Sequence, residues 1–388
     1  MRTAKTHTLL LAVLASVMVL ASCRKDPPVL PSTDTGVTEG TDTRDIKGFF
    51  LLNEGNMGSN KATIDYFDYG TGKYSRNIYP ERNPGVALEL GDVGNDIGIY
   101  GSKMYAVINC SNFVEVMDRE SAKHIAEISI PNCRYITFHQ GYAYVSSYAG
   151  PVGINPEYRR GYVAKIDTAS LQVLDTCNVG YQPEEMVVVN GRLYVANSGG
   201  YMAPDYDNTV SVIDLETFKR VNTITVAPNL HQMKVGGDGM IYTSSRGDYY
   251  GLMSSTYIID PVTETVVKEL ELLPNSDMTV VGDSLYVIAH TWSHITMTYE
   301  TSYAVFDTGK GITVTRNLVT DGTEKEIRNP YCIAVNPENG DIFITDAKDH
   351  VTPGKIHCYG PDGVRKWSAT TGDIPGHIIF TSKRLKDI

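Results

Sequence analysis

Seven polar or ionisable residues fall at one recurring place along this chain: Asp96, Arg134, Glu184, His231, Asp277, Tyr331 and His377. Two imidazoles and three carboxylates on one rim are residue types that hold a divalent metal or move protons in hydrolysis and elimination. Their spacing argues against both roles. No His-x-His or Glu-x-x-His pair groups two donors, and no Ser or Cys stands beside a base as an activated nucleophile. His231 and His377 read instead as strand caps or as partners for loop carbonyls. An Asp205-x-Asp207-Asn208 loop has calcium-ligand types, but one acidic loop falls short of a coordination set. The expectation is a binding protein, not an enzyme, with no catalytic residue, resident metal or cofactor.

A second group is better suited to binding. Six long segments run from Asn53 to Asn60, Ser147 to Arg160, Asn197 to Asn208, Ser245 to Tyr250, His290 to Tyr299 and Asp346 to His350. Hairpin connections normally need only about two to five residues. These carry Tyr, Trp, Asn, Arg and Gly, a mixture that gives rigid contact area with adaptable hydrogen bonds. The candidate ligand contacts are Asn60, Tyr148, Tyr158, Arg159, Tyr201, Tyr206, Asn208, Arg246, Tyr249, Tyr250, Trp292 and His294. Trp292 is read as lying in a polar loop of His, Ser and Thr.

The elements that must position these residues come from a repeat. An alternating apolar strand closes on Asp at 68, 118, 167, 214, 260 and 307, with gaps of 50, 49, 47, 46 and 47; a seventh copy ends on Gly360. A period near fifty built from short strands is the signature of a β-propeller. Asn190-Gly191 supplies the positive φ angles of a two-residue hairpin, so successive strands pair antiparallel. Tyr105, Tyr144, Tyr194, Tyr242, Tyr286 and Phe343 recur on each unit's second strand and are expected in the core between blades. Six four-stranded units span about 95 to 371. Residues 48 to 79 leave three strands, and Gly376 to Thr381 leaves one. The expected fold is all-β, a seven-bladed propeller closed by pairing the N-terminal strands with the C-terminal strand, which removes open sheet edges.

The N-terminus reads as an address. Arg2 and Lys5 precede an apolar run from Leu9 to Ala21, then Ser22-Cys23. This is a secretory signal, too short to span a membrane stably. Residues 1–22 are assigned as signal peptide, 23–46 as Cys23 and flexible tether, and 47–388 as propeller. The tether is rich in Pro, Thr, Asp and Gly and has too little apolar content for a core. Loss of Arg2 and Lys5 takes the net charge from −11 to −11 − 2 = −13. So acidic a body disfavours nucleic acid as a partner. Five cysteines besides Cys23 cannot all pair, although Cys110 and Cys133 are placed for a bridge.

Leu20-Ala21-Ser22-Cys23 resembles the bacterial lipoprotein box, and the resemblance implies that Cys23 becomes the acylated first residue of the mature chain. The repeats resemble YncE-type, surface-layer-like propellers over about 48 to 381. With the opening Gly48-Phe49-Phe50-Leu51-Leu52-Asn53-Glu54-Gly55-Asn56 and the Tyr-rich loops, the chain resembles the BtuG-type cobalamin-capturing lipoproteins of Bacteroidetes outer membranes. The resemblance implies a lipid-anchored, surface-exposed outer-membrane protein. It would seize cobalamin (vitamin B12) or a related corrinoid as transported ligand and pass it to a TonB-dependent transporter. Glycan, peptide or protein capture would use the same loops, and a rim metal would serve a hydrolase or lyase.

Overall fold

The computed structural model describes residues 30–386 except 87–88, 151–157, 271–272 and 294–295; Cys23, the signal and His294 lie outside the described residues. Seven antiparallel sheets form a seven-bladed propeller. Six of the sheets are four-stranded meanders whose first strand is innermost. The inner strands are Gly94–Tyr100, Cys133–His139, Pro183–Val189, Leu230–Val235, Asp277–Val281, Pro330–Val335 and, closing the ring, Pro375–Thr381. The last pairs with Gly48–Asn53 (Phe50 opposite Ile379, Leu52 opposite His377). All six residues of Gly48–Asn53 are buried.

The recurring Asp has a local cause. Its carboxylate accepts backbone N–H groups two and three residues on, as in Asp167 from Ala169 and Ser170 (3.1 and 2.6 Å) and Asp260 from Val262 (2.7 Å). Each Asp therefore closes the hairpin to the outermost strand as a side-chain-capped turn. In the seventh copy Asp362, two residues past Gly360, takes over and accepts from Val364.

The recurrent aromatics fill the seams between blades. Tyr105 packs with Ala143 and Val145 of the next blade, Tyr194 with Ile241 and Ile259, and Phe343 with Phe49 and Trp367. Tyr286 is only partly buried. Each seam is thus anchored by one large ring of about 150–250 Å².

Two findings differ from the sequence reading. Part of the segment read as tether, Thr33–Gly36, is a fifth, outermost strand on the closing blade, paired with Lys73–Arg76. Its residues are all exposed, so hydrogen bonds hold it rather than core: Asp34 accepts from Ser75 Oγ and Lys73 Nζ at 2.6 Å each. Apolar pattern could not reveal a strand with no buried face. The five described cysteines are all free, Cys110 and Cys133 included.

Candidate functional site

Six of the seven inner strands depart from regular pairing at their first residues. In four of them two residues stand against one on the neighbouring strand: Arg134 and Tyr135, Glu184 and Glu185, His231 and Gln232, Tyr331 and Cys332. A bulge of this kind frees side chains from the pleat and re-aims them. In three cases a hydroxyl on the second strand fixes the distortion. Ser146, Ser244 and Thr345 accept the N–H of Tyr135, Gln232 and Cys332 at 2.9–3.0 Å. Gly94 and Gly376 open the two single-residue irregularities, at Asn95 and at Gly376 itself.

These bulges build the floor of a cavity of about 1110 Å³ at the mouth of the ring. Beneath the lining lies buried Glu184, which holds three lining residues in place. One carboxylate oxygen accepts Arg134 Nε and Nη2 at 3.2 and 3.1 Å; the other accepts Tyr148 Oη at 2.5 Å and lies 3.5 Å from Arg246. Burial raises the Glu184 pKa, but the two guanidinium groups outweigh it and hold it below the ordinary value. Arg134 also lies 4.9 Å over the Tyr148 ring. Two cations on one carboxylate leave the floor locally positive.

Across the floor, His377 Nε2 is 3.6 Å from Glu54 and its Nδ1 is 3.8 Å from Asp96. Burial lowers the His377 pKa, yet Glu54 and Asp96 outweigh it and the imidazolium is favoured. Tyr331 Oη donates to Glu54 at 3.0 Å. His231 shares a hydrogen with Tyr135 Oη (2.8 Å); burial, then Arg246 and Arg134, push its pKa well down, so it is neutral. Below them the acids hold the ring together. Asp96, Glu185 and Asp277 each accept the inner-strand N–H of the next blade, from Ile136, Met233 and Ile333 at 2.6–2.8 Å. Glu185 also pairs with Lys234. Among the described residues no three His, Cys, Asp or Glu side chains gather to hold a metal. Asp207, the centre of the acidic loop, is spent on Tyr181 N and on Thr209 N and Oγ1 at 2.6–3.0 Å.

The wall is aromatic. Every exposed large aromatic among the described residues lines this cavity: Tyr201, Tyr249, Tyr250, Trp292 and Tyr299, joined by exposed Met57, Leu252 and Met253. Tyr250, 76% exposed, sits on a turn in which Asp248 accepts the N–H of Tyr250, Gly251 and Leu252 at 2.8 Å each. Trp292 corrects the loop reading. Strands Ser284–Ser293 and Thr298–Asp307, each ten residues long, continue past the blade as a hairpin, with Trp292 opposite Tyr299. The two rings meet edge to face at 5.3 Å, and His290 stacks on Tyr299 at 4.9 Å. This β-ribbon stands at the mouth.

Of the candidate contacts, Tyr148, Tyr201, Arg246, Tyr249, Tyr250 and Trp292 come together at the cavity. Tyr148 is buried and holds Glu184 rather than standing free on a loop. Asn60, Tyr158, Arg159, Tyr206 and Asn208 do not line it. Tyr158 donates to the Tyr201 carbonyl at 2.5 Å, and Tyr206 lies edge-on to Tyr249 at 6.4 Å, so both support wall residues. Asn60, at φ 54°, is an exposed turn residue held through its N–H by Asp92. Sequence reasoning missed Met57, Leu252, Met253 and Tyr299. Apolar residues inside polar loops were the available signal.

The buried acids set a pH dependence. Burial raises Asp65, Asp96 and Asp277 to about 6 from 3.8. Folding therefore takes up protons between about pH 4 and 6, and stability falls as pH rises through that window. The favoured His377 imidazolium acts in the same direction, its contribution present below pH 6.5 and lost above. Capping acids with lowered pKa, such as Asp167 and Asp260, lose their contribution only on acidification below the ordinary carboxylate range. His231 and His357, held neutral by burial, act the other way, because the unfolded chain binds their protons below pH 6.5. The melting temperature should therefore vary little between pH 4 and 7 and fall below pH 4 as the capping acids protonate; a steep change between pH 4 and 7 in a scanning-fluorimetry series would contradict this charge arrangement.

Fold and site together define a seven-bladed propeller with a polar-floored, aromatic-walled mouth. The chain belongs to the family described as Domain of unknown function (DUF5074), whose match covers residues 47–360. Among solved structures it is similar to a quinoprotein alcohol dehydrogenase-like protein from Bacteroides thetaiotaomicron (15% identity, TM-score 0.59, 86% of this chain and 78% of that one). It is also similar to hydrazine synthase of Kuenenia stuttgartiensis (17%, 0.57, 69% and 77%) and to a functionally unknown protein from Desulfotomaculum acetoxidans (12%, 0.57, 88% and 100%). At these identities the likeness is one of fold. No curated protein matches the chain, so the BtuG-type resemblance rests on the residues quoted for it above.

Proposed function

We propose that this protein is a lipid-anchored outer-membrane propeller that captures a corrinoid in the mouth of its ring and delivers it to a TonB-dependent transporter, without chemical change to the ligand. The observation that carries the reading is the cavity. At about 1110 Å³ it exceeds the roughly 300–1,000 Å³ of an ordinary small-molecule pocket, and it collects every exposed large aromatic among the described residues. A corrinoid is a broad disc with an apolar face and a rim of amides. Trp292, Tyr250 and Tyr299 offer rigid faces to the disc; Arg246, Arg134 and Gln232 offer donors to amide oxygens, and Glu54 and Asp277 accept from amide N–H.

The test is calorimetry of residues 30–388 against cyanocobalamin and against a corrinoid lacking the lower ligand. One-to-one binding at micromolar or tighter affinity is expected. No heat at micromolar protein would overturn the corrinoid reading, and heat with a glycan or peptide instead would identify the mouth as a different capture site. Trp292→Ala should cost about 2 kcal/mol of affinity, roughly thirty-fold. Its melting temperature should scarcely change, because the ribbon lies outside the seams between blades. An unaltered affinity in the Trp292→Ala, Tyr250→Ala double variant would place the ligand elsewhere.

A further inference from the structure

The outermost strand of the closing blade fixes where the anchor leaves the body. Thr33–Gly36 runs antiparallel to Lys73–Arg76, with Thr33 opposite Arg76 and Gly36 opposite Lys73. Lys73 in turn lies opposite Asp68, one of the turn acids on the face away from the mouth, which we call the base. The strand therefore enters at the mouth end and descends. The residues before it are held there as well. Asn77 Nδ2 donates to the Leu30 carbonyl (3.2 Å), Arg76 Nη2 to the Pro31 carbonyl (3.2 Å), and Ser32 Oγ donates to the Asn77 carbonyl (2.7 Å). Asn77 stands level with Ile64, whose carbonyl accepts the Ile78 N–H; Ile64 is one residue from the mouth end of its strand.

We infer that docking of Leu30–Gly36 on the closing blade holds the anchored protein with its mouth toward the bilayer. The inference rests on lipidation of Cys23, part of the function proposed above. From Cys23 to Leu30 is 30 − 23 = 7 residues, about 25 Å when fully extended. A six-residue blade strand is about 20 Å high. A base-down posture would need the leash to pass that height and the base turns beyond it, leaving no length to reach lipid.

The experiment uses the lipidated full chain in vesicles of neutral and anionic phospholipid doped with an acceptor dye. Donors are placed through an azido amino acid at Tyr250, at the mouth of the blade whose inner strand is Leu230–Val235, or at Val262, in the base turn of the same blade. Energy transfer to the membrane should be several-fold stronger from position 250. Equal transfer, or stronger transfer from 262, overturns the inference. Inserting about twenty Gly/Ser residues after Arg24 should erase the difference, since such a linker spans the whole body. Persistence of the difference would mean that something other than the docked leash orients the protein. The Cys23→Ala protein should give no transfer, and transfer from it would remove the premise. None of these readouts requires a ligand, so failure of the corrinoid reading leaves them unaltered.

Discussion

Deletion of residues 375–388 should abolish cooperative folding. Pro375–Thr381 is the innermost strand of the closing blade, and its loss bares the whole hydrogen-bonding edge of Gly48–Asn53, a strand buried along its full length. It also opens the cluster of Phe49, Leu51, Phe343 and Trp367, against which Ile378 and Phe380 pack. Each such apolar side chain contributes about 1.5–3 kcal/mol when fully buried. Domain stabilities are only about 5–15 kcal/mol. Losing the strand removes a comparable amount and exposes an edge prone to aggregation. The soluble fraction, far-ultraviolet melting and dye binding to exposed apolar surface would all report the loss. A synthetic peptide of residues 374–388, supplied during refolding, should restore a cooperative transition. A truncated protein that melts like the intact one would show that the ring closes by other contacts.

Glu184→Ala should be the most damaging single substitution in the mouth. It leaves Arg134 and Arg246 facing each other in the floor without their shared carboxylate, and it strips the acceptor from Tyr148. Removing one partner of a buried ion pair costs about 3–5 kcal/mol, because the remaining charge is stranded. An unfolding entropy of about 2.1 cal/mol/K per residue converts that to a fall of about 4–7 °C in melting temperature. Arg134→Ala made in the Glu184→Ala protein should cost far less than in the parent, since it removes one of the stranded cations. Additive losses would show that Glu184 acts through packing rather than by neutralising the two arginines.

What could be read from the sequence, and what could not, divides along physical lines. Blade number and ring closure were legible because burial between blades forces period-two patterning and because the outermost hairpin of each blade is closed by a capping Asp. The rim residues Arg134, Glu184, His231, Tyr331 and His377 were legible as positions, since each opens an inner strand. Their mutual contacts were not. They arise from bulges, and a bulge hinges on single hydroxyls such as Ser146 and Thr345 that look like ordinary strand residues. Trp292 was misplaced for a related reason. A hairpin that leaves the core loses its apolar alternation, so His290-Thr291-Trp292-Ser293 reads as loop while its backbone stays paired. The fifth strand of the closing blade escaped notice because none of its side chains is buried.

That fifth strand has a mechanical consequence. Tension applied through the anchor falls first on the hydrogen bonds that hold Leu30, Pro31 and Ser32 to Arg76 and Asn77, and next on a ladder of only four residue pairs that begins at Thr33. Beyond it the N–H groups of Val37 and Thr41 reach the Gly72 and Tyr69 carbonyls at 3.0 and 2.7 Å, and the Glu338 carboxylate of the neighbouring blade accepts the N–H groups of Asp45 and Ile46 at 2.7 and 2.8 Å. From Leu30 to Asp45 is 45 − 30 = 15 residues, which can pay out as roughly 50 Å of line while the seven blades stay closed. The propeller thus carries its own ripcord: a tug on the lipid lengthens the tether and frees the body to turn, and relaxation lets the strand dock again.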